Sequence, residues 1–319
     1  QPPQTRTNDQ DPMTTLRPWF RLFRLPNLLT VPGDPLAGFL LASGLTAPTS
    51  FTTLLYAMGS ALGLYLFGLA VNDIVDCEID RIERPERPLP SGAITIPQAR
   101  MAAIAAALTG LNLALSAGRS ALYVAALLAA TILAYNVFLK NRTVLGPLSM
   151  GLCRGLSLLL GVAAAQPGWF TLHGFGVAAL PALVACAGLT LYVAGLSAVA
   201  QQEMSDQPQG RKPWLPFAAL LLTLPALVVA SSALKQTAAF VPTLFVFLMI
   251  MVLMRAWLLG GALYRVLPRT AIVGAHIRNL LLLQAALCVA VGQQGIFPAV
   301  TLLLLSVLFP RLTALAASS

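Results

Sequence analysis

The chain has 319 residues, of which 57% are hydrophobic and only 10% charged, with a mean hydropathy of +0.79. Soluble globular domains carry about a quarter charged residues, so this composition excludes that class and describes a polytopic membrane protein. The net charge of +9 reads as membrane topology plus attraction for anions, and no nucleic acid is expected among the partners.

Residues 1–16 are polar and predict a disordered N-terminal tail, with Met13 as an alternative start. No cleavable signal peptide is expected, because the first apolar run is too long for a signal core. Apolar stretches of about 20 residues, enough to cross a bilayer, recur at 25–44, 52–72, 98–117, 120–139, 144–165, 174–200, 214–233, 238–260, 274–292 and 296–312. The first nine predict spanning helices. The tenth reads either as another span or as a re-entrant or surface segment, since Gln293-Gln294-Gly295 interrupts the chain before it. The expected fold class is therefore all-α, a single transmembrane bundle over 17–312 with nine or ten spans and a short tail at 313–319. Cys77, Cys153, Cys186 and Cys288 have no ligand spacing and read as small packing residues.

At the end of the second apolar stretch stands Asn72-Asp73-Ile74-Val75-Asp76-Cys77-Glu78-Ile79-Asp80-Arg81. If this segment is helical, Asp73, Asp76 and Asp80 lie at i, i+3 and i+7 and project from one face. Like charges on adjacent turns repel, and a hard divalent cation with oxygen ligands is the usual reason to tolerate them. The bland alternative is a solvated helix end paired with Arg81, Arg84 and Arg87. The prolines of Arg84-Pro85-Glu86-Arg87-Pro88-Leu89-Pro90-Ser91-Gly92 stiffen a loop over the cluster.

The connections 73–97, 201–213 and 261–275 are the long ones, and they share the basic residues with the N-terminus and with Lys140 and Arg142; the opposite side carries only Arg119 and Lys235. By the positive-inside rule these long connections and the N-terminus are cytoplasmic, so function is expected on that face. The expected localisation is integral to a membrane, the bacterial inner (cytoplasmic) membrane. Connection 201–213 follows span six as 73–97 follows span two, which is the pattern of a four-span duplication, although no repeated sequence carries it. No carboxylate occurs after Asp206, so acids and metal ligands of that type are confined to the first two long connections, Asp34 and the tail. Arg154 lies inside span five, where a charge is costly and usually faces a polar cavity; pairing with backbone carbonyls is its structural alternative. His173 and His276 read as interfacial or packing residues, and Trp169 with Phe170 as an interfacial anchor.

The motif Asn72-Asp73-x-x-Asp76-x-x-x-Asp80 with downstream Arg87-Pro88-Leu89-Pro90-Ser91-Gly92 resembles the signature of the UbiA superfamily of intramembrane prenyltransferases. Arg24-Leu25-Pro26-Asn27, Tyr135 with Lys140, and Leu215-Pro216 agree with it, over roughly 17–312. One departure stands out: the second aspartate-rich motif of the family is reduced here to Glu203 and Asp206 within 197–206. Tyr192-x-x-Gly195-Leu196-Ser197 followed by Glu203 is similar to the EboC-like branch, where that motif is also reduced.

The resemblance implies a bundle whose central cavity opens to the membrane, a prenyl diphosphate donor, Mg²⁺ as cofactor, and transfer of an isoprenoid chain to a small aromatic or lipid acceptor of unknown identity. Asp73 and Asp76 are the expected nearest metal ligands, with Asp80 as a third ligand or a partner through water. Asn72 is expected to orient a phosphate or carboxylate. Arg81, Arg87, Lys140, Lys212 and Arg154 are expected around the diphosphate, since metal and cations together stabilise charge on the leaving group. Tyr135 is expected beside the allylic carbon, Asn27 in the substrate pocket, and Glu203 or Asp206 as the base if an aromatic acceptor loses a proton. Lys140 with Arg142 reads equally as a topology anchor, Glu203 and Asp206 as a solvated loop, and Asn27 and Asn136 as helix-packing groups. The reduced second motif also leaves open a non-catalytic prenyl-lipid binder or transporter.

Overall fold

Pro32 and Gly33 divide the first apolar stretch, which is why it does not form one helix. A computed structural model describes residues 12–43, 51–166, 168, 180–203, 212–232 and 240–318. Helix α1 (Pro12–Leu22) begins inside the stretch expected as a tail, and is followed by a single turn, α2 (Leu25–Leu28), and then α3 (Gly33–Ser43). With 11 residues, α3 rises only about 16 Å, too short to cross a bilayer alone.

Helix α4 (Phe51–Glu83) is the longest of the described helices. Its 33 residues reach about 50 Å, well beyond the ~30 Å hydrocarbon thickness, so one end projects past the apolar layer. The acidic motif lies in that projecting end, inside the helix rather than in the loop. Asp73 and Asp80 are buried while Glu78 is 77% exposed, the helical periodicity expected for an acidic stripe facing inward.

The remaining helices are α5 (Ile96–Ala117), α6 (Arg119–Ala134) continued by a π-helical turn (Tyr135–Leu139), α7 (Leu145–Ala165), α8 (Leu180–Glu203), α9 (Leu215–Ser232), α10 (Phe240–Gly260), α11 (Arg269–Val289) and α12 (Ile296–Ser318). Among the described residues seven helices are long and apolar enough to cross a membrane, at the positions expected for spans two to six, eight and nine. Among the described residues the count of nine is therefore not reached by length and composition. The first stretch is broken at Pro32, and the parts of α9 and α12 whose side chains are described cover only Leu215–Leu224 and, with the turn before α12, Gln293–Leu308.

Helix α7 is central, packed against α3, α6 and α8, and α11 joins α10 and α12 to α3. Two glycines permit the α3–α7 contact: a Cβ on Gly38 would lie 2.0 Å from the Leu158 carbonyl oxygen, and one on Gly161 2.0 Å from that of Pro35. Outward faces carry Leu55, Tyr123, Leu127, Phe247 and Trp257, as expected where the surroundings are lipid.

A second, smaller core of Leu22, Cys77, Leu89, Ile94 and Ala99 sits under the loop after α4. Trp19 stacks on Phe23 beside it, with ring centroids 5.9 Å apart. The loop folds back by Ile94 N–H donating to Pro88 O (3.0 Å) and Ser91 N–H to Arg87 O (3.0 Å). Thr95 then caps α5 in a capping box with Gln98, and Pro97 occupies the first turn, where no donor is needed. This pins Arg87 over the acidic face of α4.

Candidate active site

Each aspartate of the α4 stripe is met by a cation from a different segment. Arg24, from the turn between α1 and α2, places a guanidinium nitrogen 3.2 Å from Asp73 Oδ1. Lys140, directly after the π-helical turn, pairs with Asp76, and Arg87 from the loop pairs with Asp80 while standing 4.0 Å from Asp73. Asn72 Nδ2 donates to Asp73 Oδ1 at 3.3 Å. Every one of these contacts falls on one carboxylate oxygen, Oδ1 of Asp73, Oδ1 of Asp76 and Oδ2 of Asp80, which leaves the other oxygen for a further ligand.

Local backbone features bring the cations in. The π-helical turn widens the end of α6 and re-aims Lys140, whose own carbonyl accepts from Gln201 Nε2 of α8 at 2.8 Å. Gly146 makes room for this, since a Cβ there would lie 2.7 Å from Lys140 O. Arg24 is the one non-glycine residue with positive φ (43°) among the described residues, a sparsely populated conformation that costs about 1–3 kcal/mol and tends to persist at functional sites.

Two cavities share this region. A polar one of about 700 Å³ is lined by Asp76, Asp80, Glu83, Arg84, Arg87, Lys140, Asn141 and Thr143 among others. A mostly apolar one of about 130 Å³ runs into the bundle between Ala61, Tyr65, Leu128, Ile132, Met150, Arg154 and Ser157. Arg24, Asn72 and Tyr135 line both and form the junction. At the apolar cavity, Arg154 Nε lies 2.8 Å from Asp34 Oδ2, and Arg154 also donates to the Thr30 carbonyl at 2.9 Å. The buried Ser157 Oγ and Asn136 Oδ1 have no hydrogen-bond partner.

The residues singled out from sequence distribute unevenly. Asp76, Asp80, Asn72, Arg87, Tyr135 and Lys140 line the cavities, Asp73 borders them through Arg24, and Arg154 lines the apolar one. Among the described residues no group of three His, Cys, Asp or Glu side chains stands close enough together to hold one ion. Helical rise explains it, because seven residues separate Asp73 from Asp80 by about 10.5 Å along the axis. Arg81 is half exposed and forks onto Glu78 (2.8 and 2.9 Å), away from the cavity. Asn27 serves the turn, its carbonyl accepting from Thr30 Oγ1 at 3.0 Å, and it is absent from both linings. His276 is a packing residue, bonded to Tyr192. The side chains of Glu203 and Lys212, and Asp206, His173, Trp169, Phe170 and residues 1–11, lie outside the described residues.

Sequence reasoning left Arg24 among the topology charges. Its signal was present in the Arg24-Leu25-Pro26-Asn27 match, but its reach to Asp73 depends on the positive-φ turn.

The charges in the polar cavity test whether the donor set fits a divalent cation. Arg24, Arg84, Arg87 and Lys140 line it with Asp76, Asp80 and Glu83, and Asp73 borders it through its contact with Arg24, so the basic side chains are matched by acids. A polyanionic ligand entering here requires additional positive charge, and the unengaged oxygens of Asp73 and Asp76 are hard donors of the type Mg²⁺ takes. The residues fit such an ion with one or two carboxylates.

A family model, the UbiA prenyltransferase family, matches residues 35–264. The digeranylgeranylglyceryl phosphate synthase of Methanoculleus marisnigri is 35% identical over 147 residues, 46% of this chain and 51% of that protein. The match thus spans about half the length of such curated relatives. Among solved structures, the apo UbiA homologue of Aeropyrum pernix K1 aligns with a TM-score of 0.59 at 22% identity, covering 82% of this chain and 96% of that one. The Archaeoglobus fulgidus UbiA homologue bound to GPP and Mg²⁺ aligns with a TM-score of 0.58 at 15% identity, covering 86% and 99%. At these identities the structures establish a shared fold. With the model matching well over half of its length, the chain belongs to the UbiA prenyltransferase family.

Proposed function

We propose that this protein is a Mg²⁺-dependent prenyltransferase that moves an isoprenoid chain from its diphosphate to a small aromatic or lipid acceptor, with the polar cavity on the cytoplasmic side. The observation that carries this reading is the junction: a charged cavity and an apolar one meet at Arg24, Asn72 and Tyr135. A prenyl diphosphate has that same division, with an anionic head and an apolar tail joined at the carbon that reacts. The structure of the UbiA homologue from Archaeoglobus fulgidus bound to GPP and Mg²⁺ supports the choice of ligand and ion.

In this reading Asp73 and Asp76 would hold Mg²⁺ through their unengaged oxygens, and the ion would supply positive charge for the leaving diphosphate. Lys140, Arg24 and Arg87 supply charge-assisted N–H groups to the diphosphate oxygens, stabilising the leaving group as its charge grows. Asp80 keeps Arg87 oriented. Tyr135 presents its ring to the reacting carbon, where partial positive charge develops. The apolar cavity accommodates the first isoprene units and excludes water, which would otherwise capture the cation. Arg154 and Ser157 offer polar contacts deeper in the same cavity.

Purified protein incubated with labelled geranylgeranyl diphosphate, Mg²⁺ and a membrane lipid extract is expected to release diphosphate and form a labelled lipid, and EDTA is expected to stop both. Stable donor binding without release, across varied acceptors, would instead identify a prenyl-lipid binding protein.

A further inference from the structure

Gln284 lies in a leucine-rich stretch of α11, a helix that lines neither cavity, and is fully buried. Its Nε2 donates to Asp34 Oδ1 at 2.6 Å and to the Thr30 carbonyl at 2.8 Å. Arg154 donates to the same two acceptors, at 3.2 and 2.9 Å. Helices α3, α7 and α11 therefore meet on one carboxylate and one carbonyl. Asp34 is 0% exposed, and a carboxylate held in such a place needs its donors nearby. The fit leaves no slack: a Cβ on Gly33 would stand 2.2 Å from Gln284 Oε1.

The Thr30 carbonyl belongs to the segment that carries Arg24. Between them the chain runs as successive tight turns, with Asn27 N–H returning to Arg24 O (2.9 Å), Thr30 N–H to Asn27 O (3.2 Å) and Asp34 N–H to Val31 O (3.4 Å). The only helix within it, α2, has four residues, far short of a length that is stable by itself. Arg24 stands at the far end of these turns with φ 43°, its guanidinium on Asp73. Val31 and Leu29 bury the segment's apolar side in the main core and α2 meets α12; the Gln284–Arg154 pair adds the polar grip, on the Thr30 carbonyl and Asp34.

We propose that Gln284 is a positioning residue: with Arg154 and Asp34 it latches the 24–34 segment so that Arg24 stays at the junction of the two cavities, and it thereby sets affinity for the donor's diphosphate from a helix remote from that junction. The inference rests on the prenyl diphosphate reading above. Arg24, Thr30, Asp34 and Gln284 all fall outside the stretch matched by the family model, 35–264.

The test is a double-mutant cycle on the full chain in detergent, reading Kd for the unreactive analogue geranylgeranyl S-thiolodiphosphate with Mg²⁺ by calorimetry. Gln284→Met is expected to weaken binding about ten-fold, the scale of a hydrogen bond to a charged group, and Arg24→Ala by at least as much. Because one acts through the other, the double variant is expected to bind no more weakly than Arg24→Ala alone. Gly33→Ala, which displaces the Gln284 amide without removing it, is expected to reproduce Gln284→Met and carries the cycle if that variant does not fold. Two fold-changes that multiply, or a Gln284→Met protein with unchanged Kd and only a lower melting temperature, would overturn the latch. Failure of the wild-type protein to bind the analogue would overturn the prenyl diphosphate reading first, and the latch with it.

Discussion

The projecting end of α4 and the buried contact between α8 and α11 use polar residues in opposite ways. At α4, Asp73, Asp76 and Asp80 face a cavity, and each carries a cation delivered from elsewhere in the chain. Between α8 and α11, Tyr192, His276 and Asn279 are neutral, fully buried and bonded to one another, with Tyr192 Oη 3.1 Å from His276 Nδ1 and Asn279 Nδ2 donating to it at 3.3 Å. The first arrangement keeps oxygens and charge available to a ligand. The second joins polar side chains to one another and to the carbonyls of His276 and Val252, leaves His276 Nε2 and Asn279 Oδ1 without a partner, lines neither cavity, and serves packing. Burial of polar atoms is therefore no guide to the site; ion pairs opening on a cavity are.

Changes on the acidic side should reach chemistry, whereas changes in the neutral cluster should reach stability alone. The largest effect is expected from Asp76→Ala or Asp73→Ala, each lowering turnover of labelled prenyl diphosphate by about 10³-fold, with size-exclusion behaviour preserved. Full activity in both variants, or in EDTA, would remove the metal from the account. Lys140→Ala is expected to reduce kcat/KM by about 10- to 100-fold, since it loses a charged hydrogen-bond donor. Wild-type values for that variant would return Lys140 to the role of a topology anchor.

Tyr192→Phe sharpens the contrast from the other side. Its turnover should stay within about two-fold of wild type while the protein loses about 1–3 kcal/mol from the buried His276 and Asn279 contacts, seen as a lower melting temperature. A large loss of turnover at unchanged stability would place the neutral cluster in the reaction path. Arg81→Ala is the smallest change: its exposed pairing with Glu78 is worth about 0–1 kcal/mol, and both activity and melting should hardly move.

What was legible in the sequence follows from how far each feature depends on tertiary contacts. The aspartate stripe was readable because i, i+3 and i+7 share a helix face whatever surrounds the helix. One more residue turns about 100° from that face, and Arg81, directly after Asp80, points to solvent although it belongs to the same motif. Arg24 and Gln284 were harder. The position of Arg24 depends on a positive-φ turn that no hydrophobic period encodes, and Gln284 is a single amide among leucines whose partners lie about 250 residues earlier in the chain. The first predicted span departs from the structure for a local reason, since apolar composition continues through Pro32 and Gly33 while the helix does not. Arg154 was recognised from its cost inside a span. It lines the apolar cavity and not the polar one, and it donates to the Thr30 carbonyl, the kind of contact its structural alternative expects.

The most direct test of the central claim is a crystal structure of the protein with geranylgeranyl S-thiolodiphosphate and Mn²⁺ in place of Mg²⁺, located by its anomalous signal. The account predicts manganese against Asp73 and Asp76, phosphate oxygens within reach of Arg24 and Lys140, and the first isoprene units beyond Tyr135. Manganese bound elsewhere, with those aspartates still held only by their cations and the analogue outside both cavities, would contradict it.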